Sequence, residues 1–160
     1  PVPWRISAPS TRRWPTPDSC PATPSGPATR HCGRPWSLTN VLGPALLAHA
    51  ALPHLEATGG RLVPIGSVAG LKNSPANLYS ATKWATTGLA ENLRLHATTR
   101  GIGVTLVNPG MIDTPFWQGA GVPPFALPPQ PVAEAICFAL DQPATVDLNT
   151  LTIRPMGQPV

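Results

Sequence analysis

Tyr79 and Lys83 stand four residues apart, and Tyr79 is the single tyrosine of the chain. On a helix, positions i and i+4 share a face, so the phenol and the ammonium can enter one cleft. A free phenol titrates at about 10 and exchanges protons poorly at neutral pH. An adjacent cation favours the phenolate and is expected to lower that value, which would make Tyr79 a general acid or base. Ser67 lies twelve residues earlier. A strand end, a loop and a helix start between the two would set its hydroxyl beside the phenol, where it could hydrogen-bond a substrate oxygen. Asn40, on the preceding helix, could fix water or backbone near Lys83. Taken singly, a Tyr-x-x-x-Lys pair more often decorates a helix surface, so the case rests on the elements that bring these residues together.

Those elements are readable from periodicity and punctuation. Residues 38–57 are apolar and alanine-rich, with Leu42, Leu46, Leu47, Ala50 and Ala51 at helical spacing, and Gly59 and Gly60 end the run. Pro44 and Pro53 inside it imply a kink, a late start or an early stop. Residues 61–67 (RLVPIGS) read as a buried strand weakened by Pro64. Residues 71–78 form a loop. Residues 79–99 carry the longest helical pattern, with Ala81, Ala85, Leu89 and Leu93 along one face and Gly101 as the cap. A second strand at 102–108, a long loop at 110–131, a helix at 132–140 and a third strand at 148–154 complete the order. Strands alternating with helices predict an α/β fold with a parallel sheet covered by helices.

Composition separates the first 36 residues from the rest. The 160-residue chain holds 23 prolines, and charged residues make up only 11% of it. Residues 1–36 contain nine of the prolines, five arginines (Arg5, Arg12, Arg13, Arg30, Arg34) and one acid, Asp18. That segment carries the whole net charge of +4, because six bases balance six acids in the remainder. A basic nucleic-acid binder is thereby excluded as a description of the domain. The segment shows no helical or strand period and too few apolar residues to offset its ordering entropy, so it is expected to be disordered. Its mixture of Arg, Pro, Ser, Thr, Trp and Cys resembles a G/C-rich gene read in the wrong frame, and the first methionine is Met111. A truncated or frame-shifted product is the expectation; a basic arm for an acidic partner is the other reading.

Further classes fall on simple grounds. The longest apolar stretch, 41–55, is broken by Pro44, His49, Pro53 and His54. A bilayer span needs about 20 apolar residues, so no membrane segment is expected. No signal peptide is visible. Cys20, Cys32 and Cys137 are odd in number and scattered, which gives no disulfide framework and makes a reducing, cytoplasmic setting the default. Cys20, His31 and Cys32 make a poor zinc site, and no metal is expected. Trp84 and Cys137 read as core or interface residues.

Four segments occur in order with fitting intervals: LTNVLGP around Asn40, PIGSVAG around Ser67, YSATK from Tyr79 to Lys83, and NPGMIDT from Asn108 to Thr114. Together they resemble the short-chain dehydrogenase/reductase family, in the branch with an Asn-Ser-Tyr-Lys tetrad. The similarity runs over residues 38–155. It implies a Rossmann-like, doubly wound sheet, here partial, and reversible hydride transfer between NAD or NADP and a carbonyl or secondary alcohol. By position, Tyr79 would pass the proton, and Lys83 would lower its pKa and bind the nicotinamide ribose. Ser67 would steady the reacting oxygen, and Asn40 would hold a water in a relay to Lys83. Pro109 and Gly110, the backbone near Ile112, and Thr114 would embrace the carboxamide. The loop after Thr114 would form the substrate lid, whose Phe116, Trp117, Val122, Phe125 and Leu127 suggest an apolar substrate or, equally, packing against the sheet.

The family's glycine-rich turn, which receives the cofactor pyrophosphate on backbone N–H groups, has no counterpart in this sequence. At ~30 residues per βα unit, three units and the next strand, about ninety to a hundred residues, are expected to be lacking. An unpaired sheet edge at residues 61–67 or its neighbour follows. Two readings therefore compete: an oxidoreductase, and a non-catalytic remnant that pairs with a second copy through its two long helices.

Overall fold

The structure is a computed structural model that describes residues 30–73, 77–117 and 121–158. The disorder and frame shift expected of the N-terminal segment fall, up to residue 29, outside the described residues.

Helix α1 (Arg30–Ser37) runs through a π turn (Leu38–Leu42) into α2 (Gly43–Thr58). The helix thus begins seven residues before the expected boundary, and residues 30–36 are helical where disorder was expected. The physical reason is tertiary: Trp36 is 8% exposed and packs on aromatic rings from two distant elements. The π turn has a local cause. Pro44 has no N–H to offer the carbonyl of Asn40, four residues back. That oxygen accepts a hydrogen bond from Thr86 Oγ1 at 2.9 Å instead, while the Gly43 N–H reaches back five residues to Leu38 O. Pro53 does not stop α2, which ends only at Gly59, in the left-handed conformation with φ 62°. Leu52 and Leu55, flanking Pro53, pack against the buried cluster of Ala97, Ile102 and Val104, and that burial holds the helix through the proline.

Three chain segments lie parallel. Strand β1 (Arg61–Leu62) pairs with β2 (Gly103–Val104), and β3 (Leu106–Pro109) pairs with β4 (Thr150–Ile153), with Leu106 opposite Thr150 and Asn108 opposite Thr152. Pro64 divides the first segment without ending it. Its carbonyl accepts from Val107 N at 3.0 Å, and Gly66 N donates to Val107 O at 2.8 Å, so Ile65 bridges Val107 beyond the gap. The central segment is buried from Val104 to Asn108. Its burial on both faces follows from helices α2 and α3 packing beside β1 and β2, and α4 (Gln130–Leu140) beside β3 and β4.

Helix α3 (Leu78–Ala97) starts at Asn77, whose side chain accepts the Ser80 N–H at 3.0 Å. Its buried face is Ser80, Thr82, Thr86 and Ala90, whereas Ala81 and Ala85, expected on the inner face, are exposed. Leu89 and Leu93 of the expected face are partly buried, Leu93 against the core, while the hydroxyls turn inward because each finds a partner: Ser80 Oγ donates to Ala69 O at 2.6 Å, and Thr86 Oγ1 to Asn40 O. Satisfied hydroxyls can be buried at little cost. Cys137, expected in the core or an interface, is exposed on α4 next to Phe138. Trp84 is also exposed, with its indole N–H donating to Lys72 O at 3.3 Å.

Candidate active site

Ser67 ends the first parallel segment in extended backbone and caps a short 3-10 turn, Val68–Gly70, by accepting the Ala69 N–H on its Oγ at 3.1 Å. That turn is fastened to α3. Ser80 Oγ reaches Ala69 O, Thr87 Oγ1 donates to Gly70 O at 3.2 Å, and a Cβ at Gly70 would lie 2.5 Å from the Lys83 carbonyl oxygen. Only a glycine allows the turn this close to the helix backbone. The clamp holds Ser67 beside the first turn of α3, and Ser67 and Tyr79 line one cavity.

Beneath them, Asn108 is fully buried and its Oδ1 accepts the Ser67 N–H at 3.1 Å. A side chain at Gly66 would collide with that amide. Asn108 Nδ2 is buried without a hydrogen-bond partner. Asn108 therefore sets the height of Ser67 from below, as the 3-10 turn does from the side.

A cavity of about 360 Å³ opens here. Its lining includes Ser67, Tyr79, Lys83, Pro109, Gly110, Ile112 and Thr114, residues far apart in sequence, and among the described residues Lys83 is the charged one on it. Asn40 is not on the lining. Its Nδ2 donates to Thr82 Oγ1 at 3.0 Å and its carbonyl accepts from Thr86, so it ties the π turn to the face of α3 behind the site. Where the resemblance implies a water at Asn40, one amide N–H is thus committed to Thr82, and the main-chain carbonyl already accepts from Thr86.

The electrostatics differ from the expectation drawn from spacing. Lys83 Nζ donates to Ile65 O at 2.9 Å and lies 5.8 Å from the centroid of the Tyr79 ring. Burial lowers the Lys83 ammonium to about 8. The Tyr79 phenol is pushed up from its ordinary value by burial, and the hydrogen bond with Ser67 pulls it partly back. Burial thus sets the direction of both shifts, against the lowering of the phenol expected from spacing. Tyr79 is held protonated, a donor at neutral pH, and Lys83 is a cation near its titration point.

The loop beyond Thr114 contributes Phe116 and Trp117 to the cavity, while Val122, Phe125 and Leu127 do not line it. Leu127 instead closes the loop on itself: its N–H donates to Met111 O at 3.0 Å, and its carbonyl accepts from Asp113 N at 2.8 Å. Trp117 is anchored by its indole N–H on Ile112 O at 2.8 Å. Two contributors escaped the sequence reading. Gln158 lines the cavity and accepts the Met111 N–H on Oε1 at 3.0 Å, supporting the turn after Gly110. Trp36 backs the Tyr79 ring. Both act through contacts from the two ends of the chain, for which spacing gives no signal. Among the described residues no cluster of three or more His, Cys, Asp or Glu could hold a metal ion. The side chains of Cys20, His31 and Cys32 lie outside those described.

Residues 36–121 match the short chain dehydrogenase family (adh_short). The chain belongs to that family. An uncharacterized oxidoreductase of Staphylococcus aureus (strain USA300) is 38% identical over 120 residues, covering 73% of this chain and 52% of the relative. An uncharacterized oxidoreductase of Staphylococcus epidermidis is 34% identical with the same coverage. Among solved structures, an alcohol dehydrogenase from the archaeon Thermococcus sibiricus complexed with 5-hydroxy-NADP superposes with a TM-score of 0.74 at 25% identity, over 82% of this chain and 57% of that one. ElxO with NADP bound gives 0.68 at 26% identity, over 79% and 58%. The chain thus spans about half the length of the curated relatives it matches. The partial doubly wound, Rossmann-like parallel sheet expected from the sequence is the family's fold.

Proposed function

We propose that this chain carries the catalytic half-site of an NAD(P)-dependent oxidoreductase acting on a carbonyl or secondary alcohol. One observation carries the reading: Ser67, Tyr79 and Lys83 share a cavity with Pro109, Gly110, Ile112 and Thr114. The residues present fit the nicotinamide-ribose end of such a cofactor. Gly110 leaves backbone bare in a tight space against Pro155 and Arg154, and Lys83 offers an ammonium to a ribose hydroxyl. No glycine-rich turn for the pyrophosphate exists in this sequence. NAD or NADP would supply the hydride when bound.

The chain's own residues supply the rest. Tyr79 donates its phenolic proton to the developing alkoxide oxygen of a carbonyl substrate and becomes the phenolate; in the reverse direction the phenolate accepts the proton of the alcohol. Ser67, held by Asn108 below and the 3-10 turn beside it, steadies that oxygen. Lys83 stabilises the phenolate as it forms, which lowers the barrier even though the resting phenol is raised. Asn40 holds the helix turn behind Lys83 and a water in the relay to it. Thr114 and the backbone at Pro109, Gly110 and Ile112 orient the carboxamide. Phe116 and Trp117 face the cavity and favour an apolar small molecule.

The test is equilibrium binding of NADH and NADPH to the full chain, together with turnover of apolar ketones and alcohols. Binding with turnover that disappears in Tyr79→Phe and Lys83→Ala supports the reading. Binding and turnover indifferent to both substitutions refute it.

A second reading, a module that pairs with another copy without turnover, is favoured by a specific surface. Leu46 and Leu47 of α2 are 60% and 64% exposed, and Leu42 and Trp84 are exposed as well. Contiguous apolar patches on helices mark interaction surfaces. Dimerisation without nucleotide binding would select this reading. The described residues include no helix long and apolar enough to cross a membrane.

A further inference from the structure

We propose that Trp36 is a positioning residue for Tyr79: its indole, packed from α1 in a T-shaped contact, fixes the angle of the phenol ring and keeps water from that side of it. The proposal rests on the reading of Tyr79 as the proton-transferring residue. The Trp36 and Tyr79 ring centroids are 5.0 Å apart with an interplanar angle of 65°. Phe116 closes the triangle, 5.7 Å from Tyr79 and 6.2 Å from Trp36, and stacks edge-on against Trp117 at 5.4 Å. The three elements involved are separated by more than forty residues at one step and more than thirty at the other, so no local propensity explains the contact.

The two walls of the triangle differ. Trp36 is buried and does not line the cavity, whereas Phe116 is 40% exposed and does. Phe116 is therefore the face that a substrate meets, and Trp36 is the fixed back wall. A ring held from behind keeps its hydroxyl aimed at Ser67, and edge-to-face aromatic pairs supply that orientation because their quadrupoles favour it. The π turn adds a second function to the arrangement. It carries Asn40, tied to Thr82 and Thr86 on α3, so the helix that brings Trp36 to Tyr79 is itself anchored to the helix bearing Tyr79.

Burial is also what raises the phenol, and the Trp36 indole covers one side of the ring. Among the described residues facing Tyr79, Lys83 on its own helix is the charged one, and its Nζ is engaged by Ile65 O. Ser67 faces it from the turn after β1, and Thr114 shares the cavity from the loop. Arg34, the charged residue of α1 nearest Trp36, is exposed.

Because Tyr79 is the only tyrosine, phenolate absorbance reports this residue alone, with or without nucleotide or turnover. Titration of the full chain should give a midpoint that falls by about half a pH unit or more in Trp36→Ala, as water reaches the phenolate. Trp36→Phe, which keeps an aromatic edge, should stay close to the parent. A folded Trp36→Ala protein with an unchanged midpoint overturns the proposal, since loss of stability alone does not move the titration of a folded site. If Trp36→Ala does not fold, nuclear Overhauser contacts between an indole and the single labelled tyrosine ring of the parent decide the matter. Their presence, with an unchanged Trp36→Phe midpoint, supports the back wall, and their absence overturns it. Indifference of turnover to Tyr79→Phe would refute the proton-transfer role yet leave this titration standing, so the two failures are distinguishable.

Discussion

Gly70→Ala should unfasten the site by a route that its sequence context hides. Gly70 has an ordinary negative φ, so no backbone strain is involved. The constraint is contact: a Cβ would sit 2.5 Å from the Lys83 carbonyl oxygen, 2.7 Å from its carbon and 3.0 Å from Thr87 Oγ1. Helix backbone cannot yield as a flexible side chain would, so the 3-10 turn must lift away. Overpacking of this kind costs ~1–3 kcal/mol. The Thr87 Oγ1 bond to Gly70 O, 3.2 Å in the native turn, is lost with it at ~1 kcal/mol. The sum is a destabilisation of about 2–4 kcal/mol. Gly88→Ala on the same helix is the matched control. Its Cβ meets nothing within 4 Å, so the substitution should stabilise by ~0.5–1 kcal/mol through helix propensity alone. Urea unfolding followed by fluorescence of the five tryptophans reads both. With a slope of ~1–3 kcal/mol per molar urea, the midpoint of Gly70→Ala should drop by about 1 M or more, and that of Gly88→Ala should rise. A Gly70→Ala midpoint within error of the parent would overturn the close approach of the turn to α3.

Three further outcomes are expected. Thr82→Val leaves the buried Asn40 amide without its partner at 3.0 Å, which should cost ~1–3 kcal/mol in urea unfolding, and Thr82→Ser should restore most of it. Stability should rise with pH and then fall. Lys83 titrates at about 8 when folded and at about 10.4 when unfolded, so across that window the unfolded chain binds the extra proton and rising pH favours folding. Tyr79 titrates above its ordinary value when folded, so past about 10 the folded chain holds the extra proton and rising pH favours unfolding. Lys83→Met should flatten the rising limb and Tyr79→Phe the falling one, as measured by urea midpoints over that range. Finally, Leu46→Glu with Leu47→Glu should shift sedimentation toward monomer if α2 pairs with a second copy; an unchanged profile would remove that face from consideration.

The gathering of Ser67, Tyr79 and Lys83 on one cavity was legible because it is written locally. The four-residue interval of Tyr79 and Lys83 fixes a shared helix face, and a strand ending at Ser67 before a loop and that helix start confines the hydroxyl to the same rim. Periodicity also marked α2, α3, α4 and the parallel segments, including a first segment that survives Pro64 because the proline carbonyl still accepts from Val107. Wherever the outcome depends on what lies across space, the sequence was silent or misleading. Hydroxyls on α3 read as polar, yet Ser80, Thr82 and Thr86 turn inward because Ala69 and Asn40 await them. An adjacent cation suggested a lowered phenol, yet burial, which has no expression in linear spacing, decides the direction. Trp36 sits among prolines and arginines that argue against order, and only the aromatic faces of Tyr79 and Phe116 give it a place. The residue types and intervals determined which groups could react. The folded chain alone determined their solvation, their angles and what stands behind them, because desolvation and packing arise between segments that the sequence keeps far apart.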